Sequence, residues 1–245
     1  SNAMLHYVHV GNKKSPNTLL FVHGSGCNLK IFGELEKYLE DYNCILLDLK
    51  GHGESKGQCP STVYGYIDNV ANFITNSEVT KHQKNITLIG YSMGGAIVLG
   101  VALKKLPNVR KVVSLSGGAR FDKLDKDFME KIYHNQLDNN YLLECIGGID
   151  NPLSEKYFET LEKDPDIMIN DLIACKLIDL VDNLKNIDIP VKAIVAKDEL
   201  LTLVEYSEII KKEVENSELK IFETGKHFLL VVNAKGVAEE IKNFI

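Results

Sequence analysis

The sequence has no excess of basic residues and no long apolar run, and each absence excludes a class of protein. The 245-residue chain carries 28 Lys and Arg against 34 Asp and Glu, a net charge of -6, so no basic patch favours nucleic acid. No apolar stretch approaches the roughly 18 residues of a membrane span. The N-terminal segment also lacks the basic start and apolar run of a secretory signal. We therefore expect a globular protein that neither binds nucleic acid nor spans a bilayer.

The cysteines are few, odd in number and irregularly spaced, and no C-x-x-C pair occurs. The five are Cys27, Cys44, Cys59, Cys145 and Cys175. Such a set favours neither a disulfide framework nor a zinc site and is typical of a reducing compartment, so we expect a cytoplasmic protein. Ser1–Ala3, before Met4, is interpreted as an expression scar and left out of the fold argument.

Short apolar runs alternate with longer amphipathic segments along the chain. The runs are strand-like and continuous at 18–22, 44–47, 86–89, 112–115, 191–196 and 219–222. Continuous apolar strands indicate a sheet covered on both faces, and their alternation with helices predicts a doubly wound, mostly parallel α/β fold. An antiparallel edge strand is expected at 5–10.

Helical spacing occupies the segments between the predicted strands. Apolar residues between Val63 and Ile74 fall on one stripe, and Ile31, Leu35 and Leu39 form a similar one. From about 121 to 184 the chain shows helical patterns and no strand. The predicted organisation is a core at 4–118 and 188–245 with a small helical cap inserted at 119–187, after the fourth predicted parallel strand.

The pentapeptide Gly90-Tyr91-Ser92-Met93-Gly94 has the form G-x-S-x-G between a predicted strand and a predicted helix. A sharp strand-to-helix turn strains the central residue and leaves room only for small residues two positions away. The turn would present the Ser92 hydroxyl at the carboxyl edge of the sheet. There the free N–H groups of the following helix, beginning at Met93, would stabilise an oxyanion. Ser92 is therefore the predicted nucleophile.

A serine hydroxyl needs a base, and the base needs a carboxylate that orients it. His227 follows the last predicted strand and is the predicted base. Asp198 follows the fifth predicted strand and is the preferred acid, with Glu199 beside it and Asp122 after the fourth strand as alternatives. The chain order is then Ser, acid, His.

These motifs together resemble the α/β-hydrolase fold superfamily, in particular its esterases and lipases. "FVHGSG" resembles the family's oxyanion loop, and the resemblance implies backbone N–H donors at Ser25 and Met93. "DLKGHGES" resembles a stretch that is chiefly structural in the family, so Asp48, His52 and Ser55 are assigned no chemistry. Lys226 stands before His227, where family members often have a small residue.

The expected function is that of a serine hydrolase that cleaves a small to medium carboxylic ester through an acyl-enzyme, with no metal or cofactor. The expected partner is a small-molecule acyl ester, and the oligomeric state is left open. The same triad could instead serve thioester, amide, C–C bond, peracid or hydroxynitrile chemistry. A non-catalytic small-molecule binding protein on the same fold is the alternative from another class.

Overall fold

The computed structural model describes residues 4–245, and Ser1–Ala3, interpreted above as an expression scar, lie outside the described residues. Seven strands form one sheet in that range. They are β1 (Tyr7–Gly11), β2 (Thr18–Val22), β3 (Asn43–Leu47), β4 (Ile86–Tyr91), β5 (Val109–Leu115), β6 (Val191–Ala196) and β7 (Ser217–Phe222).

Nine α-helices occur within residues 4–245. They are α1 (Val63–Asn76), α2 (Met93–Leu103), α3 (Lys126–Tyr133), α4 (Asn139–Ile146), α5 (Pro152–Phe158), α6 (Pro165–Leu177), α7 (Val204–Glu213), α8 (Leu229–Val232) and α9 (Ala234–Phe244). Side chains at the position before the helix accept backbone N–H groups at several starts, as Thr62 does for α1 and Asp164 for α6.

The sheet has the strand order β1-β3-β2-β4-β5-β6-β7, and every neighbouring pair is parallel except β1 with β3. Alternate residues of one strand serve opposite faces. In β2, Leu20 and Val22 join a core that includes α1 and α2, whereas Leu19 and Phe21 join a second core that includes α9. The predicted doubly wound, mostly parallel sheet with an antiparallel edge strand is confirmed.

The segment between β5 and β6 contains α3, α4, α5 and α6 and no strand. An isolated antiparallel bridge joins Arg120 to Asp179, so the two ends of the helical segment lie side by side. The segment therefore leaves and re-enters the sheet at nearly one point. That residues 119–187 form a cap distinct from the core stays a prediction.

The predicted helix on the Ile31, Leu35 and Leu39 stripe is wrong. That segment forms two short 3₁₀ turns, Leu29–Phe32 and Glu36–Tyr38, with the three apolar side chains fully buried. Gly33 follows the first turn, and glycine is a poor helix former. Two successive 3₁₀ turns bury side chains that are three to four positions apart, as an α-helix does. The apolar spacing alone therefore could not distinguish these turns from an α-helix.

Candidate active site

Ser92 occupies the sharp turn between β4 and α2. Its backbone has φ 59° and ψ -121°, a region that costs a non-glycine residue on the order of 1–3 kcal/mol. The Ser92 N–H donates to the carbonyl of Leu115 at 2.9 Å, and its carbonyl accepts from Gly95 N–H at 2.8 Å. These bonds hold the strained turn in place and leave the hydroxyl free to project from the edge of the sheet.

The glycines on either side of Ser92 are required by close backbone approach. A Cβ on Gly90 would overlap the carbonyl of Gly94, and a Cβ on Gly94 would overlap the carbonyl of Val22. Both obstacles are backbone atoms that cannot move aside without displacing β2 or α2. The spacing G-x-S-x-G is thus a steric consequence of the turn.

His227 lies in a short 3₁₀ turn after β7, with its Nε2 atom 3.1 Å from Ser92 Oγ. The hydroxyl of Tyr91 donates to the carbonyl of His227 at 2.6 Å, and the two rings pack with centroids 5.1 Å apart. The structure therefore brings together Ser92 and His227, the two residues paired by sequence, although 135 positions separate them.

The acid that contacts His227 is Glu199, one of the two alternatives, and not the preferred Asp198. Glu199 Oε2 is 2.9 Å from His227 Nδ1, and the Glu199 side chain is completely buried. Its other oxygen accepts the backbone N–H of Thr202 at 3.2 Å. One carboxylate thus orients the ring and is itself oriented by the loop after β6.

Asp198 instead holds the backbone of the loop that carries His227. Its carboxylate accepts the N–H of Lys226 at 2.8 Å and the N–H of Gly225 at 3.4 Å. Neighbouring residues at a strand end point in different directions, so only one of two adjacent acids can face the histidine. The remaining alternative, Asp122, lies 3.6 Å from Arg120 on the surface.

Thr202 is a contact that the sequence analysis missed. Its hydroxyl donates to the carbonyl of Ser116 at 2.8 Å and lies 3.2 Å from His227 Nδ1. A proton on Nδ1 then has two oxygen acceptors, Glu199 and Thr202, which favours the tautomer with Nε2 free to accept from Ser92. No motif in the sequence signals this threonine.

The loop after β2 runs directly beside Ser92. A Cβ on Gly24 would come within 2.7 Å of Ser92 Cβ. Neither the N–H of Ser25, in this loop, nor that of Met93, at the start of α2, has an acceptor within residues 4–245. These are the two donors that the resemblance implied.

His23 fixes the peptide group that carries the Ser25 N–H. Its Nδ1 donates to the carbonyl of Gly24 at 2.9 Å, and its Nε2 accepts the N–H of Leu49 at 3.0 Å. Burial, together with the nearby charge of His52, lowers the pKa of His23 to about 3, so the ring is neutral with its proton on Nδ1. Because a trans peptide directs its C=O and N–H oppositely, this bond sets the direction of the Ser25 N–H.

An apolar pocket opens onto Ser92, and the helical segment between β5 and β6 supplies half of its lining residues. The residues from that segment are Phe121, Leu124, Leu142, Ile146, Phe158, Leu161, Met168, Leu172 and Cys175. Polar lining comes from Ser25, Ser92, Thr202 and His227. Among residues 4–245, no Lys, Arg, Asp or Glu lines the pocket, and no cluster of potential metal ligands occurs in that range.

None of the residues of "DLKGHGES" lines the pocket at Ser92. Asp48 accepts the N–H groups of Leu29 and Glu54, both at 2.9 Å, and the hydroxyl of Ser55 donates to the Asp48 carbonyl at 2.6 Å. His52 contacts Asp171 of α6 with Nε2 2.6 Å from Oδ2. The segment is a hydrogen-bonded loop that meets the helices above the sheet.

The family model described as alpha/beta hydrolase fold matches residues 17–144, more than half of the chain. The chain belongs to the alpha/beta hydrolase fold family. The matched region contains β2, the serine turn and the loop with His23 to Ser25, and the seven-stranded sheet agrees with it.

Two curated relatives match part of this chain. Protein phosphatase methylesterase 1 of Candida albicans is 35% identical over 89 residues, which are 35% of this chain and 24% of that protein. A 2-succinyl-6-hydroxy-2,4-cyclohexadiene-1-carboxylate synthase of Escherichia fergusonii is 30% identical over 100 residues, 41% of this chain and 38% of that protein. The matched part of the chain thus spans well under half the length of either protein.

The solved structure of an enol-lactonase from Burkholderia xenovorans LB400 superimposes with a TM-score of 0.85 at 15% identity, covering 98% of this chain and 95% of that chain. This likeness shows the fold, including the helices between β5 and β6. Within residues 4–245, none of the helices of this alpha/beta hydrolase is both long and apolar enough to cross a membrane.

Proposed function

We propose that this alpha/beta hydrolase is a serine esterase that uses Ser92 as nucleophile, His227 as general base and Glu199 as the acid that orients His227. The observation that carries the proposal is the continuous chain of contacts from Ser92 Oγ to His227 Nε2 at 3.1 Å and from His227 Nδ1 to Glu199 at 2.9 Å. These contacts lie at the mouth of a pocket, next to the Ser25 and Met93 N–H groups, which have no acceptor among residues 4–245.

The reaction proceeds in two balanced halves. His227 accepts the proton of Ser92 as the oxygen attacks the ester carbonyl, and the N–H groups of Ser25 and Met93 stabilise the oxyanion. His227 then protonates the departing alcohol, leaving an acyl group on Ser92. Water, deprotonated by His227, attacks the acyl-enzyme. His227 then returns the proton to Ser92 Oγ as the bond to the acyl group breaks, which releases the acid and restores the serine hydroxyl. Glu199 stabilises the imidazolium in both halves.

The lining of the pocket favours an uncharged substrate with an apolar acyl or alcohol group. Its wall is formed by leucine, isoleucine, phenylalanine and methionine side chains, and no cationic side chain faces it within residues 4–245. Burying a substrate carboxylate there would leave its charge unpaired, at a cost of several kcal/mol. The synthase relative is named for a compound that contains a carboxylate, so the lining favours an ester over a substrate of that kind. The names methylesterase and enol-lactonase both refer to esters.

The test is hydrolysis of p-nitrophenyl esters of graded acyl length by the wild type, by Ser92→Ala and by Ser217→Ala. Ser217 begins β7 at the opposite edge of the sheet and provides a matched serine-to-alanine control. We expect turnover in the wild type and the control, and a loss of at least about 10⁴-fold in Ser92→Ala. Equal rates in all three proteins, or no turnover in any, would contradict the proposed function.

A further inference from the structure

A buried charged cluster lies beneath the loop that carries Ser25. Asp171 of α6 and His52 have no exposed side-chain surface, and His52 Nε2 is 2.6 Å from Asp171 Oδ2. The hydroxyl of Tyr66, on α1, donates to the other carboxylate oxygen of Asp171. We call these three residues the Asp171 cluster. It joins the segment between β5 and β6, α1 and the loop after β3.

The Asp171 carboxylate is fully satisfied by donors. Oδ2 accepts from His52 and from the N–H of Gly26 at 3.0 Å, and Oδ1 accepts from Tyr66 and from the Asn170 amide at 3.2 Å. A buried carboxylate without such partners would be strongly destabilising, so the arrangement maintains a negative charge in the interior.

His52 carries the compensating positive charge. Burial alone would lower the pKa of His52, but the hydrogen bond and charge of Asp171 outweigh it and raise that pKa to about 10. Its Nδ1 faces the carbonyl of Lys50 at 3.0 Å while Nε2 faces Asp171, so both ring nitrogens point at acceptors, as an imidazolium requires.

The cluster reaches the candidate oxyanion loop through Gly26, the residue after Ser25. The Gly26 N–H donates to Asp171, and the Gly26 carbonyl accepts the N–H of Glu162 at 2.9 Å. Both bonds come from the segment between β5 and β6. Gly26 also has φ +63°, a conformation that glycine adopts without strain. The helical segment thus holds both polar backbone groups of Gly26 and restricts the chain on the carboxyl side of Ser25.

We infer that Asp171 is a positioning residue for ester hydrolysis: through Gly26 it fixes the loop so that the Ser25 N–H is aimed at the developing oxyanion. The inference rests on the proposed function. His23 holds the peptide before Ser25 and Asp171 holds the peptide after it. An oxyanion donor is effective only when its direction is set before the reaction. The hydrogen bonds from His23 and to Asp171 set that direction from both sides of Ser25.

The first test is Asp171→Asn, which keeps the shape but leaves one amide oxygen, and an NH₂ group in place of the other, facing the four donors that the carboxylate now accepts. The variant therefore weakens the hold on the Gly26 N–H and removes the charge that pairs with His52. Because the Ser25 N–H matters mainly in the transition state, we expect kcat on a p-nitrophenyl ester to fall about 10- to 100-fold while KM changes less than about twofold. The Ki of an alkylboronic acid, which forms a tetrahedral adduct with a nucleophilic serine, should rise by a similar factor.

The matched control is Tyr66→Phe, which removes another donor from the same carboxylate without touching Gly26. We expect Tyr66→Phe to lower the melting temperature but to leave kcat and the boronic acid Ki within about twofold of wild type. Equal losses of kcat in both variants would contradict a positioning role, because a general loss of packing would then account for the effect. An unchanged kcat in folded Asp171→Asn would also contradict it.

If Asp171→Asn does not fold, Asn28→Ala decides the matter. The Asn28 amide donates to the Thr160 carbonyl at 2.8 Å and to Glu162 at 2.7 Å, so its loss loosens the helical segment from the same loop. We expect a smaller loss of kcat, about three- to tenfold, again with KM nearly constant. No change in kcat would contradict the inference.

The wild-type measurements separate the two proposals. A wild type that neither hydrolyses the esters nor binds the boronic acid would contradict the proposed function, and the positioning role with it. An active wild type whose Asp171→Asn variant is equally active would contradict the positioning role alone.

Discussion

At the scale of single residues, adjacent acids in this protein have separate tasks. Glu199 is buried against His227, whereas Asp198 accepts the N–H groups of Gly225 and Lys226. The sequence places both acids after the same strand, and a one-residue difference in position decides which side chain faces inward. The position after the strand identifies the loop that supplies the acid, but it does not show which of the two adjacent acids contacts His227.

The first prediction separates these two acids by isosteric amides. Glu199→Gln should lower kcat on a p-nitrophenyl ester about 10³- to 10⁴-fold, because an amide can stabilise the wrong tautomer of His227 and does not stabilise its charge. Asp198→Asn keeps an oxygen for the Lys226 N–H and should lower kcat less than about tenfold. Steady-state kinetics of the two variants check this. A larger loss in Asp198→Asn would restore the original assignment of Asp198.

At the scale of elements, the strands were predicted well because their apolar runs are local signals of burial on both faces. The 3₁₀ turns at Leu29–Phe32 and Glu36–Tyr38 were not, since their apolar spacing mimics a helix. The contact between Asp171 and His52 could not be predicted, because it joins α6 to a loop more than a hundred residues earlier. Such pairs depend on the assembled tertiary structure.

The second prediction concerns the helical wall of the pocket. Leu172 of α6 is 3% exposed and lines the pocket, whereas Leu177 of the same helix is 65% exposed. Leu172→Ala should enlarge the pocket and shift the preferred ester toward longer acyl chains, at a cost of about 2–5 kcal/mol in the free energy of unfolding. The ester panel and urea denaturation measure the two effects.

Leu177→Ala is the control for that helix, since it makes the same substitution on the solvent side. It should leave the acyl-length profile unchanged and alter the free energy of unfolding by less than about 0.5 kcal/mol. If both variants shift the profile alike, the helix as a whole and not the Leu172 side chain controls the pocket.

At the scale of the whole molecule, the buried pair of His52 and Asp171 couples stability to pH. The pKa of His52 is raised from the ordinary 6.5 to about 10 in the folded protein. Its contribution is therefore complete below about pH 6.5, where both states are protonated, and is lost as pH rises through about 10.

The third prediction is a loss of stability on the alkaline side. Between pH 6.5 and 9 the free energy of unfolding should fall by about 3 kcal/mol from His52 alone, because the unfolded chain gives up this proton more readily than the folded one. Urea denaturation at the two pH values measures it. His52→Gln should reduce the difference between the two pH values by about 3 kcal/mol. His82→Gln, at a side chain 76% exposed, should not. Equal stability of the wild type at both pH values would contradict the ion pair.

The most direct test of Ser92 as nucleophile is covalent labelling of the wild type with an alkyl fluorophosphonate, followed by peptide mass mapping. The reagent reports whether a serine is activated, without requiring the natural substrate to be known. We predict one adduct, on the peptide that contains Ser92, and its loss in Ser92→Ala. Labelling of the wild type at a different residue, or no labelling, would contradict the assignment of Ser92 as an activated nucleophile.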